Sequence, residues 1–170
     1  MGATDGPERE DYDDLFTGTT IPVDISKEEA FAVILAASVC VDRMVSSTEA
    51  QEMQALADRT RTMSSLSEEA RREYYERAMK TVGDPNRLWD AVGSACAKLL
   101  HLHKKDNEPN SPNARDITTS VFAHACDLIF ADRNVLDTEK KLLQFLAQRL
   151  EIPKEEARAI VQLMQKKNLY

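Results

Sequence analysis

Two segments of this chain, residues 40–60 and 130–150, carry the same residue pattern 90 positions apart. A unit present twice in one chain can bury the apolar face of each copy against the other copy. The repeat therefore constrains the fold more directly than it constrains the function. The identical pairs are Asp42 with Asp132, Arg43 with Arg133, Val45 with Val135, Thr48 with Thr138, Glu49 with Glu139, Gln54 with Gln144, Leu56 with Leu146, Ala57 with Ala147 and Arg59 with Arg149.

The correspondence extends beyond these segments, but its spacing changes. The tetrapeptide Glu-Glu-Ala-Arg occupies residues 68–71 and again residues 155–158, which are 87 positions apart. The first copy therefore has three extra residues between its second and third helices, near residues 60–65. We expect each copy to consist of a helix, a short loop, a helix, a loop and a helix.

Capping residues and apolar periodicity place the helices. Ser26 precedes the first helix and Glu29 follows three residues later, which is the spacing of a capping box. Residues 30–41 of that helix are apolar on nearly every side, so we expect several neighbours to bury it. Ser67 and Asp137 stand at the N-cap positions of later helices. No segment alternates as a strand would, and we expect an all-α fold of about seven helices.

The helices group into two repeats within one domain. Residues 1–25 are acidic and lack periodicity, so we expect them to form a flexible N-terminal arm. The remaining residues, 26–170, are expected to form a single domain. Its parts are a first repeat at 26–82, a bridging helix at 84–103, a linker rich in Asn and Pro at 104–116, and a second repeat at 117–168. The simplest packing relates the repeats by a pseudo-two-fold axis, with the first and fifth helices at the centre.

Charge and cysteine usage narrow the classes of function. The net charge of −7 argues against a general nucleic-acid binder, because such proteins need a basic face. Cys40, Cys96 and Cys126 lie in apolar helical stretches without a Cys-x-x-Cys motif, as expected of small buried side chains in a reducing compartment. No apolar run reaches the roughly 18 residues that a membrane span requires. We therefore expect a cytoplasmic protein without a membrane span.

In each copy an apolar helix ends in Asp, a Val follows three residues later, and a Glu stands in the next helix. This pattern resembles the TerB-like family, the tellurite-resistance TerB proteins and their relatives, whose usual motif reads Asp-Gly-x-Val-x-x-x-Glu. The resemblance covers residues 26–168. The matching residues are Asp42, Val45 and Glu49 in the first copy and Asp132, Val135 and Glu139 in the second, while Arg43 and Arg133 stand where the family favours glycine.

The resemblance implies an all-helical domain that acts in tellurite resistance or in wider stress responses. Such proteins are associated with assemblies, some of them at the inner face of the membrane, and have no established catalytic reaction. The resemblance therefore implies protein partners, including a membrane-associated complex, and a metal-linked role for the acidic residues.

The four acidic residues of the motif, Asp42, Glu49, Asp132 and Glu139, have two interpretations. Each Asp and Glu could satisfy free amide groups at the start of the following helix, where negative charge is favourable. Alternatively, the two loops could meet at the axis and gather four carboxylates, which would suit a divalent cation such as Ca²⁺, Mg²⁺ or Mn²⁺. The sequence leaves both interpretations open.

No catalytic motif accompanies these carboxylates. The sequence has no P-loop, no Gly-x-Gly-x-x-Gly, no nucleophile elbow and no His-Glu-x-x-His. His101 and His103 are two positions apart, so on a helix they point to different sides and do not predict a zinc site. We therefore expect a non-enzymatic interaction module. The alternative is a carboxylate-based metal-binding protein or metal-dependent hydrolase, and the sequence specifies neither the partner nor the oligomeric state.

Overall fold

The computed structural model describes residues 25–41, 47–108, 116–131 and 134–169, with every side chain in these ranges except those of residues 47–49 and 52. The expected N-terminal arm lies outside these ranges apart from Ile25. No strand occurs in the described ranges, which agrees with an all-α fold. The described helices are α1 (Lys27–Cys40), α2 (Ser47–Arg59), α3 (Arg61–Ser64), α4 (Glu68–Val82), α5 (Leu88–Asp106), α6 (Ile117–Ala131), α7 (Asp137–Arg149) and α8 (Lys154–Lys167).

Helix α1 lies at the centre of the fold. The Ser26 side chain accepts a hydrogen bond from the Glu29 amide at 3.1 Å, which confirms the predicted N-cap. All residues from 30 to 41 are buried, because α1 packs against α2, α4, α5 and α6. A helix that is apolar all round has no face to offer to water, so its sequence requires such a central position.

The other helices pack around α1 and α6. Helix α6 packs against α1, α5, α7 and α8, and α5 packs against helices from both halves of the chain. Trp89 of α5 meets Phe145 of α7 edge to face, with ring centroids 5.2 Å apart. In each half the first helix packs against the second and third, α1 with α2 and α4, and α6 with α7 and α8. The repeat and the pseudo-two-fold relation between these triplets stay predictions.

The extra residues of the first copy form an additional helical turn, α3, so the described ranges contain eight helices where about seven were expected. Thr60 fixes the start of this turn. Its hydroxyl donates to the Ala57 carbonyl at 2.7 Å and accepts from the Met63 amide at 3.2 Å. Met63 is fully buried. The insertion therefore adds a core residue as well as lengthening the connection.

Other helix ends differ slightly from the sequence expectation. Ser67 caps α4 as predicted, accepting from the Ala70 amide at 3.2 Å. Helix α5 begins at Leu88, after a turn in which Asp84 accepts from the Asn86 amide, and it ends at Asp106. The expected bounds of this bridging helix, 84–103, were therefore four residues too early at the start and three residues too early at the end. Helix α7 begins at Asp137 with Leu136 as its N-cap, so Asp137 is the first helical residue rather than the cap.

Candidate functional site

The structure describes the side chain of only one of the four motif carboxylates. Asp42 and Asp132 lie outside the described residues, and so does the side chain of Glu49. Glu139 is 7% exposed, and its Oε1 accepts a hydrogen bond from the Leu136 amide at 2.9 Å. Leucine has no side-chain oxygen to return a bond to the helix, so this is half of a capping box. Glu139 thus satisfies an amide at the start of α7, as the helix-capping interpretation expects.

The end of α1 and the start of α7 border one cleft of about 210 Å³. In the sequence they stand next to the two acidic elbows, defined as the loops that contain Asp42 and Asp132. Val41, which directly precedes Asp42, and Thr138, which directly precedes Glu139, both line this cleft. The end of α1 and the start of α7 therefore lie on the same side of the molecule. Within the described ranges no group of three or more His, Cys, Asp or Glu residues could hold a metal ion. The four-carboxylate cluster stays a prediction.

A larger concavity, the apolar groove, lies between the three helices of the second triplet. Its volume of about 500 Å³ falls within the usual range of ligand sites. Phe122 of α6 forms part of its floor and is almost completely buried. The residues that line the apolar groove are Phe122 from α6, Leu143, Gln144, Ala147 and Gln148 from α7, Ile152 from the connection, and Lys154, Ala157, Arg158 and Val161 from α8.

The connection between α7 and α8 shapes one end of the apolar groove. Glu151 has a φ of 53°, in the left-handed region that glycine favours. The Ile152 amide donates to the Ala147 carbonyl at 2.9 Å and the Glu151 amide donates to the Gln148 carbonyl at 3.2 Å. This pair of bonds is a Schellman motif, which ends α7 sharply and turns Ile152 toward the groove. The corresponding connection of the first copy contains α3 instead.

The rim of the apolar groove is cationic. Lys154 and Arg158 are one helical turn apart on α8, both are exposed, and neither has a described carboxylate within 4.0 Å. Gln144 and Gln148 of α7 add exposed amide groups. The described residues contribute no carboxylate to the lining. The groove thus combines an apolar floor with positive charge at its edge.

A polar cluster fixes the end of α8 to α6. Lys167 donates to both carboxylate oxygens of Asp127, at 2.7 and 2.6 Å, and the Asn168 side-chain amide donates to one of them at 3.1 Å. Burial acts to raise the pKa of Asp127, but the hydrogen bonds from Lys167 and Asn168 outweigh it, so the pKa lies below its usual range. This arrangement holds in place one wall of the apolar groove.

The partial burial of His124, one turn before Asp127, predicts that stability depends on pH. Burial lowers the pKa of His124, Lys167 and Arg59 lower it further, and the negative charge of Asp127 acts in the opposite direction. In the unfolded chain the pKa of this histidine is about 6.5, whereas in the folded chain it is lower. Just below pH 6.5 the unfolded chain therefore binds more protons than the folded chain. The free energy of unfolding should therefore fall as the pH drops below about 6.5.

Substitution of His124 by glutamine should flatten this part of the pH profile, because glutamine does not titrate. Urea unfolding at pH 7.5 and at pH 5.5 measures the effect. His101→Gln is the matched control, since His101 is exposed. An identical loss of stability in the wild type and in His124→Gln would contradict the assignment.

The three cysteines, His101 and His103 are the other residues considered as candidates for a reactive site. The three cysteine side chains are buried, as predicted, and burial raises the pKa of Cys96 and of Cys126 to about 12. His101 is exposed, whereas His103 is half-buried with its Nδ1 3.0 Å from the Asn107 side-chain amide. These groups do not form a catalytic arrangement.

Searches against models of protein families, against curated proteins and against solved structures found no match to this chain. No helix in the described ranges is long and apolar enough to cross a membrane.

Proposed function

We propose that this chain is a non-enzymatic interaction module that binds a segment of a partner protein in the apolar groove. The observation that carries the proposal is the groove itself, about 500 Å³ of concave surface with an apolar floor and two cations without a described carboxylate partner. We also propose, on the sequence resemblance to TerB-like proteins alone, that this module acts in tellurite resistance or another stress response, in an assembly that includes a membrane-associated complex.

The chemistry of the groove defines the partner segment. An amphipathic helix places apolar side chains at positions i, i+3 and i+4 into such a groove, and these would cover Ala147, Ala157 and Val161. Acidic residues at the edge of that helix would pair with Lys154 and Arg158. The apolar contact supplies most of the affinity, while the charges select an acidic partner.

Site-specific photo-crosslinking in cells that express the full chain tests this proposal. A benzophenone side chain at Gln148, in the groove, should form a protein adduct of defined mass, whereas the same group at Gln51, exposed on α2, should not. Reversal of the two rim charges, Lys154→Glu with Arg158→Glu, should remove the adduct. The control variant Arg72→Glu with Lys80→Glu changes the same charge at exposed positions of α4 and should keep it. Equal adducts from both positions, or an adduct indifferent to the rim charges, would refute the proposal.

A second candidate function is divalent-cation binding at the acidic elbows, by a metal-binding protein or a metal-dependent hydrolase. The observation that favours it is the shared cleft, because it is lined by Val41 and Thr138, which stand close in sequence to the two elbows. Calorimetry with Ca²⁺, Mg²⁺ and Mn²⁺ tests it. Micromolar binding that Asp132→Asn with Glu139→Gln abolishes, at unchanged helix content, would support a metal site. Absence of such binding would leave helix capping as the role of these residues.

A further inference from the structure

Most of the net negative charge of this protein lies in its N-terminal segment. Residues 1–24 contain seven acidic residues and a single arginine, so this segment carries −6 of the net charge of −7. The rest of the chain is close to neutral. A short segment with this charge would be attracted to any cationic surface of the same molecule.

The most acidic part of the segment also contains its largest apolar side chains. Residues 8–16 read Glu-Arg-Glu-Asp-Tyr-Asp-Asp-Leu-Phe, with Tyr12, Leu15 and Phe16 at the spacing i, i+3 and i+4. On a helix this spacing would place all three side chains on one side, with Asp11 and Asp13 flanking them and Asp14 on the opposite side. This is the pattern that the apolar groove requires of a bound segment.

We propose that residues 8–16 of the same chain occupy the apolar groove until a partner displaces them. This inference rests on the proposed function, because it takes the groove as a binding site and names its resting occupant. Tyr12, Leu15 and Phe16 would cover the apolar floor, and the flanking aspartates would pair with Lys154 and Arg158. The charge of the segment and the charge of the rim are complementary.

The chain is long enough for this contact. The described fold begins at Ile25, nine residues after Phe16, and nine extended residues span about 30 Å. A folded unit of roughly 145 residues has a radius of gyration of only about 15 Å. The segment can therefore reach across most of the domain from its attachment at α1.

Because the segment is part of the same chain as the groove, even weak intrinsic binding is enough to keep the groove occupied. A tethered ligand experiences an effective concentration of about 1 mM, so an intrinsic Kd near that value already fills a large share of the grooves. A partner must compete with this internal ligand. Only the unoccupied grooves can bind the partner, so its apparent association constant is reduced to the fraction of grooves that are unoccupied. The acidic segment thus acts as a built-in inhibitor.

Paramagnetic broadening in the full chain tests the contact directly. A nitroxide is attached to Asp14→Cys, which points away from the groove in the proposed contact. The three native cysteines are buried and the pKa of Cys96 and of Cys126 is raised to about 12, so they resist labelling. The amide signals of Ala147, Ala157 and Val161 should be lost selectively. The signals of Ala70 and Ala78, on α4, should persist, since α4 packs against α1 and α5.

The rim residues and the control residues are exposed, so their charge variants keep the test independent of folding. Lys154→Glu with Arg158→Glu should restore the groove signals, and so should Asp11→Asn with Asp13→Asn. The pair Arg72→Glu with Lys80→Glu should leave the broadening in place. Broadening that ignores the rim charges, or uniform intensities with no selective loss in the groove, would overturn the proposal.

A mixed sample identifies the chain that supplies the segment. Nitroxide-labelled chains without ¹⁵N are combined with ¹⁵N chains without nitroxide. Groove broadening in this mixture would show that a second copy donates its segment, which overturns the intramolecular proposal. If the groove stays unbroadened when the nitroxide and ¹⁵N are on the same chain, while the crosslink at Gln148 depends on the rim charges, the internal ligand is rejected and the proposed function still stands.

Discussion

Replacing Leu35 with alanine is expected to lower the free energy of unfolding by about 3 kcal/mol. Leu35 is fully buried in the middle of α1, a helix that is packed by α2, α4, α5 and α6. Truncation removes buried apolar surface and leaves a cavity that surrounding helices on several sides cannot close. Urea denaturation followed by circular dichroism measures the change.

A matched leucine provides the control for this substitution. Leu163 on α8 is 61% exposed, so Leu163→Ala should change the free energy of unfolding by no more than about 0.5 kcal/mol. The comparison holds the chemical change constant and varies only the burial. Similar losses for Leu35→Ala and Leu163→Ala would show that α1 is not the central helix.

Asp127→Ala is expected to cost about 2 kcal/mol, the second largest effect. The Asp127 side chain is only 14% exposed and accepts three hydrogen bonds from Lys167 and Asn168. Bonds of this kind to a charged group contribute about 1.5–3 kcal/mol, and the expected value stays in the lower half of that range because the Lys167 side chain is 57% exposed. Asp137→Ala is the control, since its side chain is 95% exposed and its ion pair with Lys140 spans 3.9 Å.

The effect of Asp127→Ala should also depend on pH. The folded pKa of Asp127 is lowered, so its stabilising contribution is complete above the unfolded pKa of about 3.9 and is lost as the pH falls through the folded value. The difference between wild type and Asp127→Ala should therefore persist from neutral pH to about pH 5 and shrink below about pH 4. A difference that stays constant down to pH 2 would mean that the carboxylate charge contributes nothing.

The sequence specifies the central helix and most helix starts, because local patterns determine both. Residues 30–41 are apolar on all sides, which is incompatible with a surface helix, and Ser26 and Ser67 cap their helices through bonds within four residues. Helix α3 could not be predicted in the same way. A single turn of mainly polar residues has no periodicity, and it forms because Thr60 bridges two backbone groups and Met63 enters the core.

The candidate site was only partly visible in the sequence. The position of Glu139 in the first turn of α7 predicted a capping role, and its bond to the Leu136 amide agrees with that. The apolar groove was missed, because Phe122, Leu143 and Val161 look like ordinary core positions of amphipathic helices. Periodicity reports which face of a helix is apolar, but the placement of α8 across α6 and α7 decides how much of that face stays open. The pairing of cationic Lys154 and Arg158 with the apolar stripe of α8 was the available signal.

Binding of an anionic apolar dye to the full chain tests the central claim, that the apolar groove is the binding surface. Anilinonaphthalene sulfonate combines an apolar ring system with a negative charge. The measurement is made in a background variant, Leu15→Ser with Phe16→Ser, which removes the proposed internal competitor. In that background Val161→Asp, which places a carboxylate in the groove, should weaken dye affinity about tenfold, equivalent to 1.4 kcal/mol. Leu163→Asp, two residues away and exposed outside the groove, should leave it unchanged. Equal dye affinity in both variants at unchanged helix content would contradict the account.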